Sequence, residues 1–379
     1  MCLVPSNRRA FLEWAKQQPE FGATLHETGH LSRTVYGAFL EDVFKSACTV
    51  AAIKGIAVER VNAEVTAMRE DAAGKVHVDW TGGATTADIA IIATGRSPYI
   101  ERFPVPLPGA EAVYIADHIR NDALEHIPLD ATVHVLGTSL SAYDIVNRLF
   151  SPRTGCRFDA SADGSMTFVP GPNRRRIVLA SRTGRLKKHR SVELRPLALR
   201  HVTIDNLREI AGANGGLTLD DVRRLVDAEA AAKGTSIDWS SIADPYRGCS
   251  TRQAVNARAG EILATDVQNA KRGGNANFIV DLLGAAQMTI WQAFGERLLT
   301  PAAEKRYRDH VERALLCYAA PSALPAGERL LALHKAGRIE VVKGVRDVRL
   351  APDGSHYAID HDSGGERAAI LINTTGAVN

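Results

Sequence analysis

The residues best suited to chemistry in this sequence are Gly137, Thr138, Ser139, Leu140, Ser141 and Ala142, which run consecutively. A short valine-rich apolar run ending at Leu136 leads into them. Leu140, Ile145, Val146 and Leu149 then recur at helical spacing. This pattern predicts a strand, a tight turn at Gly137 and a helix. Gly137-x-Ser139-x-x-Ala142 is a variant of the glycine fingerprint that seats a pyrophosphate on the open N–H groups of a helix start. Ser139 stands where a second glycine would let the backbone approach the phosphates more closely. A strand–helix connection with no ligand accounts for the same residues. They also read as a hydrolase nucleophile elbow, with Ser139 exposed at a strained turn. That elbow's last glycine is missing, and no His-Gly-Gly-Gly run offers an oxyanion hole.

The next apolar run, residues 176–182, bears on the choice. In a dinucleotide fold the end of the second strand meets the adenosine ribose. An acid there selects NAD, whereas an arginine accommodates the 2′-phosphate of NADP. Ser181 and Arg182 occupy that end and point to NADPH; a solvated basic strand end is the plainer reading. Eight Lys and Arg fall between Arg174 and Arg190. They form a basic patch that suits a phosphorylated cofactor or simply a solvated face.

Elements on either side must position these residues. In 379 residues there is room for two or three domains, and 45% hydrophobic with 23% charged residues is a globular composition. A net charge of +3 gives no cause to expect nucleic acid. The five cysteines are scattered without metal or redox spacing, which points to a reduced cytoplasm. No signal peptide or eighteen-residue apolar run is present, so no membrane is expected. Phe11, Leu12, Trp14 and Ala15 suggest a short helix. Val35, Phe39, Leu40, Val43 and Phe44 predict a longer one from about Ser32, with Arg33 and Tyr36 at its start, where an anion is welcome. Residues 56–60, 61–68 and 75–80 alternate as antiparallel strands. Residues 87–95 read as a buried strand ending in Ala93-Thr94-Gly95, small residues that let a flat group approach. Residues 97–130 read as a connection and 151–173 as a loop or hairpin excursion. Between 200 and 318 long helical patterns dominate, with starts at Thr218 and Pro301; Trp291 and Phe294 read there as core. Then come a helix at 327–336, a strand at 338–343, a hairpin around Pro352-Asp353-Gly354, and a buried strand at 368–376 ending in Thr374-Thr375-Gly376, which parallels 89–95.

Taken in order, Arg33-x-x-Tyr36-Gly37, Ala93-Thr94-Gly95, Gly137-x-Ser139-x-x-Ala142, Ser181-Arg182-x-Gly184 and Thr374-Thr375-Gly376 resemble the bacterial FAD/NAD(P)-binding proteins, relatives of flavin-containing and N-hydroxylating monooxygenases. The resemblance covers nearly the whole chain. It implies an α/β, Rossmann-like two-dinucleotide-binding fold of the three-layer β/β/α type with a helical insertion. The expected division is a remnant FAD domain at 1–128, an NAD(P) unit at 129–199, a helical insertion at 200–325 and a return at 326–379. It implies FAD and NADP as cofactors. Arg33, Tyr36, Gly37, Ala93, Thr94, Gly95, Thr375 and Gly376 belong to the flavin side. Gly137, Thr138, Ser139, Leu140, Ser141, Ala142, Ser181 and Arg182 belong to the nicotinamide side. The family opens with a strand–Gly-x-Gly-x-x-Gly–helix that residues 1–30 do not supply, and it continues past the second Thr-Gly. The chain is therefore expected to be incomplete at both ends. The resemblance implies an oxidoreductase passing hydride from NADPH to flavin, with a small-molecule substrate. The alternatives are a non-catalytic nucleotide-binding or interaction module, and a serine hydrolase using Ser139. No side chain is assigned as acid, base or nucleophile; His118, His189, His310 and His334 each stand alone.

Overall fold

The computed structural model describes residues 7, 9–19, 31, 33–94, 101–119, 122–161, 164–192 and 197–375. They fall into two compact units, Met1–Pro98 and Tyr99–Asn379.

In the first unit, α1 (Ala10–Lys16) packs on α2 (Arg33–Ile53) through aromatic side chains. Phe11 lies 5.0 Å edge-on to Tyr36 and 5.3 Å from Phe39, and Trp14 donates its indole N–H to Asp42 at 3.0 Å. A meander of β1 (Val65–Glu70), β2 (Val76–Trp80) and β3 (Gly83–Ala87) follows, antiparallel throughout. Two expected strands, one read from alternation and one as a buried apolar run, are not found among the described residues. Residues 56–60 lie outside any strand, and so do 89–94, where Ile89, Ile91 and Ile92 are 79%, 89% and 68% exposed. Branched residues favour a strand only where a neighbour supplies pairing and a packed face, and neither is found here among the described residues.

The second unit is built on a parallel sheet whose strands are β4 (Val113–Ile115), β5 (Thr132–Leu136), β8 (Arg176–Ala180), β9 (Ile339–Val342) and β13 (Ile370–Asn373). Their order is β4-β13-β5-β8-β9, every neighbour parallel. The central strands are almost wholly apolar and buried, as expected of a parallel sheet covered on both faces. Helix α3 (Leu140–Leu149) links β5 to β8 and buries Ala142, Ile145, Val146 and Leu149. The excursion after it is a hairpin of β6 (Arg157–Ala160) and β7 (Met166–Val169).

Helices α4 (Ile204–Asn214), α5 (Leu219–Ala231), α6 (Trp239–Ala243), α7 (Arg252–Arg272), α8 (Phe278–Gly295), α9 (Pro301–Arg306) and α10 (Glu312–Ala319) come next. Of these, α7 packs into the sheet's core, through Val255, Ala259 and Leu263, while α4, α5, α8 and α10 surround a second core. Trp291, expected in that core, is 39% exposed instead. Helix α11 (Leu324–Lys335) leads to β9, and a meander of β10 (Asp347–Leu350), β11 (Tyr357–His361) and β12 (Gly364–Ala368) leads to β13. The residues between 97 and 130, read as a connection, thus include an edge strand of the sheet, β4.

Candidate functional site

The carboxyl ends of β5, β8 and β13 bring three of the sequence motifs together. Gly137 turns the chain at φ +118°, and a Cβ there would lie 2.3 Å from Thr374 Oγ1, so only glycine is accommodated. Thr374 donates to the Leu136 carbonyl from both its N–H, at 2.9 Å, and its hydroxyl, at 2.7 Å. The Gly137 N–H donates to Ala180 O at 2.8 Å. The turn is therefore clamped from both neighbouring strands. Ser139 is the N-cap of α3 in extended conformation, exposed, and its side chain caps nothing. Its φ of −100° requires no glycine. The first-turn N–H groups of Leu140, Ser141 and Ala142 thus lack a side-chain cap, at the helix end that carries partial positive charge.

Thr138 has another role. It is buried, donates its hydroxyl to Arg185 O at 2.5 Å and lies 3.3 Å from Ser181 Oγ, which accepts the Gly184 N–H at 2.9 Å. Thr138 and Ser181 therefore lock the turn to the loop after β8. Tyr246, with no signal in its sequence surroundings, holds that loop from outside by donating to Gly184 O at 2.7 Å. Arg182 stays exposed at the end of β8, the strand paired with β5 from Thr132–Arg176 to Leu136–Ala180. Thr375 is exposed and bound to Asn373, whose Oδ1 accepts its N–H at 3.0 Å and its hydroxyl at 2.8 Å.

Half of the basic run is turned inward or partly covered. Arg175 is 3% exposed and donates to the carbonyls of Pro128, Leu149 and Ile127. Lys187, its pKa lowered by burial, donates to Leu316 O at 2.6 Å. Lys188 pairs with Asp266 at 2.9 Å. Of this run Arg174, Arg176, Arg182 and Arg190 are exposed. A cavity of about 190 Å³ lies beyond, lined by Arg185, Lys188, Tyr246, Arg258 and Asp266.

The remaining candidates lie in the first unit. Gly37 sits within α2, as do Arg33 and Tyr36; the Tyr36 ring packs in the aromatic cluster, with its hydroxyl buried and unpartnered. Ala93 and Thr94 are exposed in non-strand backbone. Gly95 and Gly376 lie outside the described residues. Two of the four histidines are held by internal hydrogen bonds. His189 binds Ser322 through Nδ1 at 2.5 Å, and burial, aided by Lys188, pushes its pKa down to about 4. His334 lies 3.0 Å from Asn256 O. No histidine or carboxylate is hydrogen-bonded to Ser139 among the described residues, which removes the hydrolase reading. No cluster able to hold a metal ion and no helix long and apolar enough to cross a membrane are found among them either.

A parallel sheet with a strand–glycine turn–helix at its centre and an arginine on the adjacent strand end has the architecture of a Rossmann-like, dinucleotide-binding α/β protein. Residues 1–97 match the family model described as FAD-NAD(P)-binding, a stretch that holds the first two of the ordered motifs. No curated protein matches the sequence. Among solved structures, L-lysine 6-monooxygenase from Pseudomonas syringae is similar at 11% identity and a TM-score of 0.40, over 99% of this chain and 65% of that one. The chain thus spans about 65% of that enzyme's length.

Proposed function

We propose that the protein is an FAD-dependent oxidoreductase that takes reducing equivalents from NADPH and acts on a small molecule. The observation that carries this reading is the turn at Gly137: a clamped glycine, an uncapped helix start, and Arg182 on the adjacent strand end. The uncapped first-turn N–H groups of α3 suit an anion, so the helix start fits a pyrophosphate, while Gly137 lets the turn pack directly against Thr374. The N–H groups of Leu140, Ser141 and Ala142 hold the pyrophosphate, Gly137 gives the chain room to turn beneath it, and Arg182 pairs with the 2′-phosphate. Thr138 and Ser181 keep the two loops in register. On the flavin side, Arg33, Tyr36, Gly37, Ala93, Thr94 and Gly95 are the first unit's candidates for holding the cofactor, and Thr375 and Gly376 the second unit's. When bound, the nicotinamide supplies a hydride and the flavin accepts it; the protein orients one against the other.

The test is an absorbance spectrum of the purified chain followed by titration with NADPH and NADH. A visible flavin band bleached by NADPH is the expected result. Arg182→Glu should weaken NADPH about 10- to 100-fold, or about 1.4–2.8 kcal/mol, and leave NADH nearly unchanged. A colourless protein that binds NADPH would replace this reading with a nucleotide-binding module. One that binds neither dinucleotide would overturn it entirely.

A further inference from the structure

The second core borders a larger, half-open cavity that the dinucleotide reading does not use. It measures about 500 Å³, within the ~300–1,000 Å³ range of small-molecule sites. Its inner wall is aliphatic and aromatic, with Val226, Leu283, Ala286, Ile290 and Tyr307 buried around it.

Two independent features mark it as a site. The first is backbone: between α9 and α10 the helix relaxes into a π-helical stretch, Tyr307–Val311, and that stretch places Tyr307, His310 and Val311 on the lining. Single π turns inside α-helical runs recur at functional sites. Buried Gln287 fixes the wall by accepting the Tyr307 hydroxyl. The second is charge. Arg223, Arg306 and His310 line the cavity together with a single carboxylate, Asp220. Arg223 is shared with Asp227, 3.6 Å away, and lies over the Trp239 ring. Arg306 has no ion pair or hydrogen bond among the described residues.

We propose that this cavity binds an organic monocarboxylic acid, its apolar body against Val226, Leu283 and Ile290 and its carboxylate on Arg306. An apolar interior accepts a hydrocarbon body, and an uncompensated guanidinium at the mouth selects an anionic head over a neutral one.

Isothermal titration of the full chain with decanoate, kept below its micelle concentration, tests this without reference to flavin or NADPH. The expected result is saturable binding at one site, with 1-decanol at least about tenfold weaker. Arg306→Gln should weaken decanoate about tenfold and leave decanol unchanged. Ala286→Trp should abolish both by filling the cavity. Should that variant fail to fold, the surface substitution at Arg306 still decides. Absence of decanoate binding, equal affinity for the alcohol, or indifference to Arg306→Gln would each overturn the proposal.

Discussion

At the scale of single residues, the site depends on one glycine more than on any polar group. Gly137 is excluded from every other identity twice, by φ +118° and by Thr374 Oγ1 only 2.3 Å from a Cβ. Gly137→Ala should cost about 2–4 kcal/mol, read as a lowered melting temperature. Adding Thr374→Ala should return part of that loss and leave the backbone share. Burial also shapes the acid response. His189 is neutral in the folded protein, with a pKa near 4 against an ordinary 6.5. Between those values the unfolded chain binds a proton that the folded one does not, so stability falls as pH drops from about 6.5 to about 4 and is complete above. The share is at most about 3 kcal/mol. His189→Gln removes it, so urea melts should show this variant's deficit shrinking towards pH 4. The turn at Gly137 and the strand end that precedes Arg182 were legible because each shows in the local pattern of its own strand. Thr138 and Tyr246 were not: their partners are 47 and 62 residues away, at Arg185 and Gly184.

At the scale of elements, helices were read most faithfully where a cap accompanied the period. Thr218 and Asp221 cap each other reciprocally at the start of α5, and Thr300 precedes Pro301 at α9. The hairpin after α3 was also legible. Helix α6, of five residues, and the π-helical stretch after α9 carry too little periodicity to be seen. The strand expected over 87–95 failed for a different reason: its composition matches 368–376, but only the latter has β4 and β5 to pair with. Pairing is a tertiary property. One side chain fastens three elements together: Arg252 of α7 reaches Glu340 of β9 and, at 2.8 Å, Glu366 of β12. Glu366 also lies 3.2 Å from His134 of β5, and although burial opposes it, His134 and Arg252 bring its pKa down to about 2. Arg252→Leu would take the shared guanidinium from two partly buried carboxylates, leaving Glu340 with Arg176 at 3.9 Å and Glu366 with His134, and should cost about 2–3 kcal/mol in chemical denaturation. Adding Glu366→Gln should recover part of it.

At the scale of the whole molecule, the two units differ in how fully they cover apolar surface. The second has continuous buried cores; among the described residues of the first, buried apolar side chains are few, and Ile53, Ile89 and Ile91 are about four-fifths exposed or more. A fragment spanning 99–379 should unfold cooperatively by circular dichroism, whereas a fragment spanning 1–98 should self-associate, seen as early elution in size-exclusion chromatography. A non-cooperative melt of the larger fragment would contradict this independence. The sheet order also has a kinetic side. β4 and β5 are close in sequence but are held apart by β13, which belongs between them and is translated more than two hundred residues after β5. While those residues are synthesised, one side of β5 presents unpaired backbone amides and carbonyls to any passing strand. The nascent chain is thus obliged to wait with an open seam at its middle, and a holding chaperone would find its natural purchase there.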